Sequence, residues 1–444
     1  MQFLESLKKE PVKFIVFTFL LTILIGGTLL IFPFSSSSHR WTNPLDAYFT
    51  ATSATCVTGL VVKDTGTYYS IFGQIVILFL IQIGGLGYMT MFTFLALLLG
   101  RRIPLLDRLA LKESLNYFSV SGIIKLARRI FFTVLIFEGL GAISLFTVFY
   151  HKYGIIKGIW FGIFHSVSAF CNAGFDLIGG FRSFTQFTGN ITLNLTVMLL
   201  IVFGGIGFPV ISEIIDYPNR KKFSLHARVV FKTTIFLIVL GAFLFFLFES
   251  KNPFTLKSLP MKEKILSSFF QSITPRTAGF STITTGKLRL PTLMFLASFM
   301  FIGASPGGTG GGIKTTTIVV LFETLFQTIK GSNETIIEER TIERSFVRKA
   351  FIIFFASIVL VGFSTLVLSI TEVFDLSKIL FEVFSAFGTV GLSTGITPLL
   401  SPIGKLTIMF TMFTGRVGIL TILTIITTKK LKRISLPEEK IMVG

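Results

Sequence analysis

The sequence predicts an all-α membrane protein built from four parallel copies of one hairpin unit. Three observations predict it. The composition is one that water cannot cover. A glycine-centred segment recurs four times at near-constant spacing. Apolar runs long enough to cross a bilayer flank each recurrence.

The composition comes first because it decides the solvent. Hydrophobic residues make up 51% of the chain, charged residues only 14%, and Phe alone occurs 53 times. Mean hydropathy is +0.78. A soluble fold cannot cover so much apolar surface with so few charges, whereas lipid can. The formal charge of +19 does not point to nucleic acid, because the Lys and Arg residues sit in short linkers between apolar runs and form no basic face. Two cysteines, Cys56 and Cys171, are too few for a disulfide framework. The run at 12–32 reads as a retained first helix and not a signal peptide, since Phe-Pro-Phe and a serine run follow it in place of a small-residue cleavage site.

The repeat comes next. TCVTGL at 55–60, FCNAGF at 170–175, PRTAGF at 275–280 and GTVGL at 388–392 align without gaps. Their glycines, Gly59, Gly174, Gly279 and Gly391, are separated by 115, 105 and 112 residues. Ser-Ala precedes three of the segments, and Ile273-Thr274 takes its place in the third.

Before each glycine lies a stretch too short to span a bilayer, at 43–55, 156–170, 261–274 and 375–387, which fits a re-entrant half-helix. Before those come full-length runs at 12–32, 129–150, 228–249 and 348–370. After the glycines come runs at 70–99, 190–215, 290–328 and 403–428. Each later run carries a break: IGGLG, FGGIG, IGASPGGTGGG or TGRVG. The unit is thus helix, half-helix, glycine loop, helix. Two spans per unit return the chain to its starting side, so eight transmembrane helices surround one axis and all four loops face one way. The units run 1–100, 101–219, 220–332 and 333–444, the last with a cytoplasmic tail. With the N-terminus inside, the inner segments hold 24 Lys/Arg and the outer ones 14, half of these in the loop 251–289.

Irregular backbone at membrane depth is tolerated only inside protein or along a wet cavity. Glycine lets such a loop turn its carbonyls toward a shared axis, where a ring of them replaces an ion's hydration shell. The negative end of each half-helix adds to the attraction for a cation. Thr58-Gly59, Ala173-Gly174, Ala278-Gly279 and Val390-Gly391 are therefore the candidate ion-binding residues. No carboxylate ring is present. Asp64 and Asp176 read either as cation attractors at the outer mouth or as loop and cap carboxylates. Arg276, three residues before its glycine, is expected to turn away from the axis into a salt bridge or toward water.

The motifs VTGL, NAGF, RTAGF and TVGLSTG on a fourfold hairpin resemble the Ktr/Trk/HKT potassium transporter superfamily, and the segment GASPGGTGGGIKT is most similar to a KtrB-type pore subunit. The resemblance covers the whole chain. It implies potassium uptake across the plasma membrane, with glycine in all four filter positions going with potassium selectivity. Relatives with Ser in the first position prefer sodium, and sodium or weakly selective flux is the alternative here. It further implies that 303–316 is an intramembrane gating loop, with Gly307, Gly308, Gly310, Gly311 and Gly312 giving flexibility. Thr309, Lys314, Thr315 and Thr316 are the polar groups to hold it. Arg416 resembles a positive barrier below the filter, the other reading being a salt bridge to Glu138 or Glu323. A homodimer on a ring of cytosolic, nucleotide-binding subunits (KtrA/TrkA-like) is implied, with any nucleotide bound by that partner. The stretch GGTGGGIKT is not a phosphate loop, since Ile313 separates Gly from Lys. An enzyme is not expected, because HExxH and GxSxG are missing and the four histidines lack ligand spacing. A proton-coupled carrier would rest on Glu138 and Glu323 alone.

Overall fold

The computed structural model describes residues 10–98, 103–114, 120–426, 439 and 441–442. Most of the predicted tail after Lys429 and the first unit boundary fall outside these residues.

Among the described residues the chain is almost entirely helical. The predicted full-length first runs form long helices: α1 (Pro11–Ile31), α7 (Ile123–Tyr153), α11 (Leu225–Glu249) and α15 (Arg344–Thr371). All four are long and apolar enough to cross a membrane. Their exposed faces carry large apolar side chains, such as Leu140 and Ile143 on α7 and Phe236 and Phe243 on α11. Such a surface is stable only against lipid.

The half-helices are α2 (Pro44–Thr55), α8 (Ile155–Phe170), α12 (Met261–Ile273) and α16 (Leu376–Gly388). Their ends differ from the predicted stretches by one residue at most. Asn43 caps α2 by accepting from the Leu45 amide. Pro275, which has no N–H to donate, follows the early end of α12.

Each later run is divided at its small-residue break, and none of them is one continuous helix. The first divides into α4 (Ile71–Leu86) and α5 (Tyr88–Leu98), the second into α9 (Ile191–Gly205) and α10 (Phe208–Arg220), and the fourth into α17 (Pro402–Val417) and α18 (Ile419–Ile426). The second and fourth pairs bend by 98° and 97°. A glycine at positive φ stands at each break: Gly87 (78°), Gly207 (97°) and Gly418 (95°). In the third run α13 (Leu290–Phe301) and α14 (Thr315–Ile329) are separated by the glycine-rich segment. Among the described residues, length and composition thus support four spans, or up to six if each of these two bent pairs counts as one.

Two linker elements are additional to the predicted ones. Helix α6 (Leu105–Ser114) occupies the first basic linker, and a small hairpin, β1 (Ile336–Ile337) with β2 (Arg340–Thr341), the third. Glu338 at the hairpin tip pairs with Lys232 and Arg228 on α11. Lys232, within α11, thus finds a carboxylate partner in the linker.

Candidate functional site

The four glycine loops share one backbone. The residue two before each glycine, Val57, Asn172, Thr277 or Thr389, has φ between 50° and 75°. The glycines follow at 87°, 71°, 76° and 92°. Two left-handed residues separated by one ordinary residue make a chain that alternates its peptide direction.

A hydroxyl at the end of each half-helix ties this conformation. Ser53 and Ser385 accept from the amides of Gly59 and Gly391 at 3.1 and 3.0 Å. Ser168 donates to the Phe175 carbonyl at 2.8 Å and Thr274 to that of Phe280 at 2.6 Å. The third copy uses Thr one position later in the alignment, which accounts for its missing Ser-Ala pair.

The loops close into a ring. A Cβ placed on Gly59 would lie 2.4 Å from the Ala173 oxygen, on Gly174 2.8 Å from that of Ala278, on Gly279 2.3 Å from that of Val390, and on Gly391 2.1 Å from that of Thr58. Each glycine thus packs on the carbonyl that precedes the next glycine, in cyclic order. Side chains are excluded twice over, by φ and by space. The eight candidate ion-binding residues are brought together at one place.

Behind the ring each loop has a polar brace that the sequence reading did not identify. Tyr69 donates to Thr50 at 3.1 Å, His165 accepts from the Leu177 amide at 3.1 Å, and Gln271 donates to Ser281 at 2.8 Å. Glu382 accepts from Ser393 at 2.9 Å and from Thr397. Thr50, His165 and Glu382 all stand nine residues before their glycine, and Gln271 stands eight before. A polar residue recurring there on otherwise apolar half-helices was the available signal.

The glycine-rich segment lies directly under the ring. A Cβ on Gly310 would fall 1.9 Å from Thr277 Oγ1, and the Gly311 amide donates to Thr389 Oγ1 at 2.9 Å. Amides of Ser305 and Thr309 bond the carbonyls of Gly205 and Gly204, and Phe208 N bonds Gly307 O. Thr309 Oγ1 reaches the Phe170 carbonyl at 3.3 Å, and Thr315 shares a bond with Ser305. Lys314 Nζ folds back on Gly310 O at 2.5 Å. Gly308 packs on the Gly204 and Gly205 carbonyls, Gly312 adopts φ 67°, and Thr316 stands one residue further into α14.

Arg416 forms no salt bridge with Glu138 or Glu323. It donates to the carbonyls of Thr309 and Gly84, and to that of Gly85 at 3.2 Å. The guanidinium joins the last turn of α4 to the segment beneath the ring. Arg276 also differs from expectation: it is buried, forms no salt bridge among the described residues, and bonds Thr234 on α11 at 3.2 Å. Asp64 caps α3 (Thr65–Tyr68) and accepts from the Phe181 amide, while Asp176 accepts from the Ile178 amide. These bonds match the loop and cap reading. The paired glycines of the later runs serve close packing: Gly84, Gly204 and Gly415 abut the carbonyls of Thr55, Phe170 and Phe387, each four residues before its unit's ring glycine.

Comparison with known proteins gives concordant matches. The model of the TrkH family, "Cation transport protein", matches residues 6–435. The potassium/sodium uptake protein NtpJ of Enterococcus hirae is 41% identical over 98% of this chain and 97% of its own. The Ktr system potassium uptake protein B of Bacillus subtilis is 39% identical over 90% of this chain and 91% of its own. Among solved structures, the potassium transporter TrkH from Vibrio parahaemolyticus superposes with a TM-score of 0.75 at 19% identity, covering 94% of this chain and 84% of that one. That likeness concerns the fold.

Proposed function

Since the chain belongs to the TrkH family of cation transport proteins, which are transporters and not enzymes, we propose that it takes up potassium through a pore on the axis of the four glycine loops. The observation that carries this reading is the closed ring, in which each glycine packs on the preceding loop carbonyl of the next unit. Four parallel helix–half-helix–loop–helix units make the pore, and the broken later runs count as spans, eight in all. The unit limits are 1–100, 101–219, 220–332 and 333–444.

The carbonyls of Thr58, Ala173, Ala278 and Val390 and of the glycines that follow them replace the hydration shell of the ion. The membrane potential drives entry at about 2.3 kcal/mol per charge per 100 mV. The segment 303–316 and Arg416 block the path below the ring, and the segment must move for ions to pass. The protein sits in the plasma membrane with its N-terminus inside. It pairs as a homodimer and is opened by a cytosolic subunit that binds the nucleotide. Sodium is the second reading, favoured by the name of the Enterococcus relative.

The test is growth of a potassium-uptake-deficient cell at low potassium, with a cytosolic ring subunit supplied. Rescue that is lost or shifted toward sodium in Gly391→Ser supports the pore. Rescue unaffected by that substitution refutes the filter assignment, and absence of rescue by the native chain refutes potassium uptake.

A further inference from the structure

Glu138 lies in the middle of α7, buried to 8% exposure, and none of its bonds is to a cation. A carboxylate in such a place is costly and needs a reason. Both of its oxygens accept from Gln82 Nε2, at 3.1 and 3.2 Å. Cys171 Sγ, three residues before the second ring glycine, stands 3.8 Å from both Glu138 Oε1 and Gln82 Oε1. The Glu138 backbone is fixed too, since its carbonyl accepts from Ser166 on α8 at 2.7 Å.

Gln82 stands one turn before the end of α4, which ends at Leu86, and so at the base of its last turn. Carbonyls in a last helical turn lack partners within their helix and attract positive charge. Arg416 supplies that charge at Gly84 and Gly85 while also holding Thr309 of the segment below the ring. The seat of the guanidinium is therefore only as fixed as the last turn of α4. The side-chain contact that ties this turn to α7 is Glu138 with Gln82.

We propose that Glu138 is a positioning residue for Arg416: through Gln82 it fixes the α4 carbonyls that hold the guanidinium across the ion path. This deepens the reading of Arg416 as a barrier and rests on it. A Gln at 138 keeps an oxygen for the Gln82 amide and keeps the volume, whereas Ala removes both. The half-buried amide of Gln82 would then lose both of these bonds, and the turn would relax.

The experiment has two arms on the full chain in proteoliposomes. In the first, hydrogen exchange of the segment 80–90 is followed by mass spectrometry. Glu138→Ala is expected to speed exchange there about threefold to tenfold, the scale of one lost neutral hydrogen bond, while Glu138→Gln leaves it unchanged. Equal exchange in Ala and native protein overturns the proposal. So does acceleration spread over every helix, which would mean general destabilisation.

In the second arm, basal potassium flux is measured in a double-mutant cycle with Arg416→Ser. Glu138→Ala is expected to raise flux about tenfold by freeing one charge-assisted bond, and to add nothing when Arg416 is already Ser. Additive effects overturn the link to Arg416. If Arg416→Ser itself leaves flux unchanged, the barrier reading fails, and the exchange arm still decides whether Glu138 anchors the turn.

Discussion

The ring and the layer beneath it follow opposite rules. In the ring, four unlike sequences adopt one backbone, with left-handed residues at the glycine and two positions earlier in every copy. One layer below, the four later runs break in the same region but are not alike: two bend by nearly a right angle at a single glycine, and the third opens into a long glycine-rich segment. Fourfold geometry is kept in the ring of carbonyls and given up in the layer beneath it. Under the proposed function, this difference assigns selectivity and gating to different parts of one repeat.

Substitutions in the ring should have the largest effect. Any of Gly59, Gly174, Gly279 or Gly391 changed to Ser places a side chain at positive φ, costing about 1–2 kcal/mol for the conformation alone. The neighbouring carbonyl must then move as well. The expected outcome is a loss of potassium selectivity of about tenfold or more, read as competition by sodium in isotope uptake.

The comparison is sharpened by Gly310→Ala. Its new methyl would meet Thr277 Oγ1, so the segment below is pushed away while the ring keeps its carbonyls. Basal flux should rise by about threefold to tenfold, within the range of one lost neutral hydrogen bond, with the potassium-to-sodium ratio unchanged. A changed ratio would mean that the two layers are not separate.

The braces should act on stability before selectivity. Glu382→Ala leaves the hydroxyls of Ser393 and Thr397 without their acceptor. It should cost about 1–3 kcal/mol, measured as a lower melting temperature in detergent, and Glu382→Gln should recover most of the loss.

The smallest effect belongs to the hairpin at the basic linker. The hydrogen bond from Lys232, helped by the charge of Arg228, holds the Glu338 carboxyl below its ordinary range. Its folded value is thus the depressed one. The clamp contributes fully above the ordinary carboxylate range and is lost as pH falls through the depressed value. Faster hydrogen exchange at 333–343 under acid conditions, with none at the ring, is the expected pattern.

Much of this was legible in the sequence because it is written four times. The glycines recur at near-constant spacing, a half-helix precedes each, and a terminal hydroxyl stands six residues before the glycine in three copies, so recurrence separates signal from chance. Even the third copy's exceptions agree with one another: Thr274 and Gln271 each stand one position later than their counterparts, and Pro275 follows a half-helix that ends early. The braces were hidden because their chemistry differs in each unit, hydroxyl, imidazole, amide or carboxylate, although their position does not. The breaks were legible in their small residues, but the size of the bends was not, because hydropathy reports burial in lipid and not direction. The partner of Arg276 was misread, and the alternative of a salt bridge for Arg416 fails, for a related reason. A buried cation suggests a carboxylate, but a hydroxyl serves one of these residues and three backbone carbonyls the other, and backbone partners leave no trace in composition.

The central claim is that four glycines act as one ring. The most direct measurement is the potassium-to-sodium permeability ratio of the reconstituted chain, with its cytosolic regulator, for the native sequence and for the four single Gly→Ser variants. The account predicts a lowered ratio in all four, because each glycine packs on the next unit's carbonyl. A native ratio in any one of them, with flux retained, would contradict it.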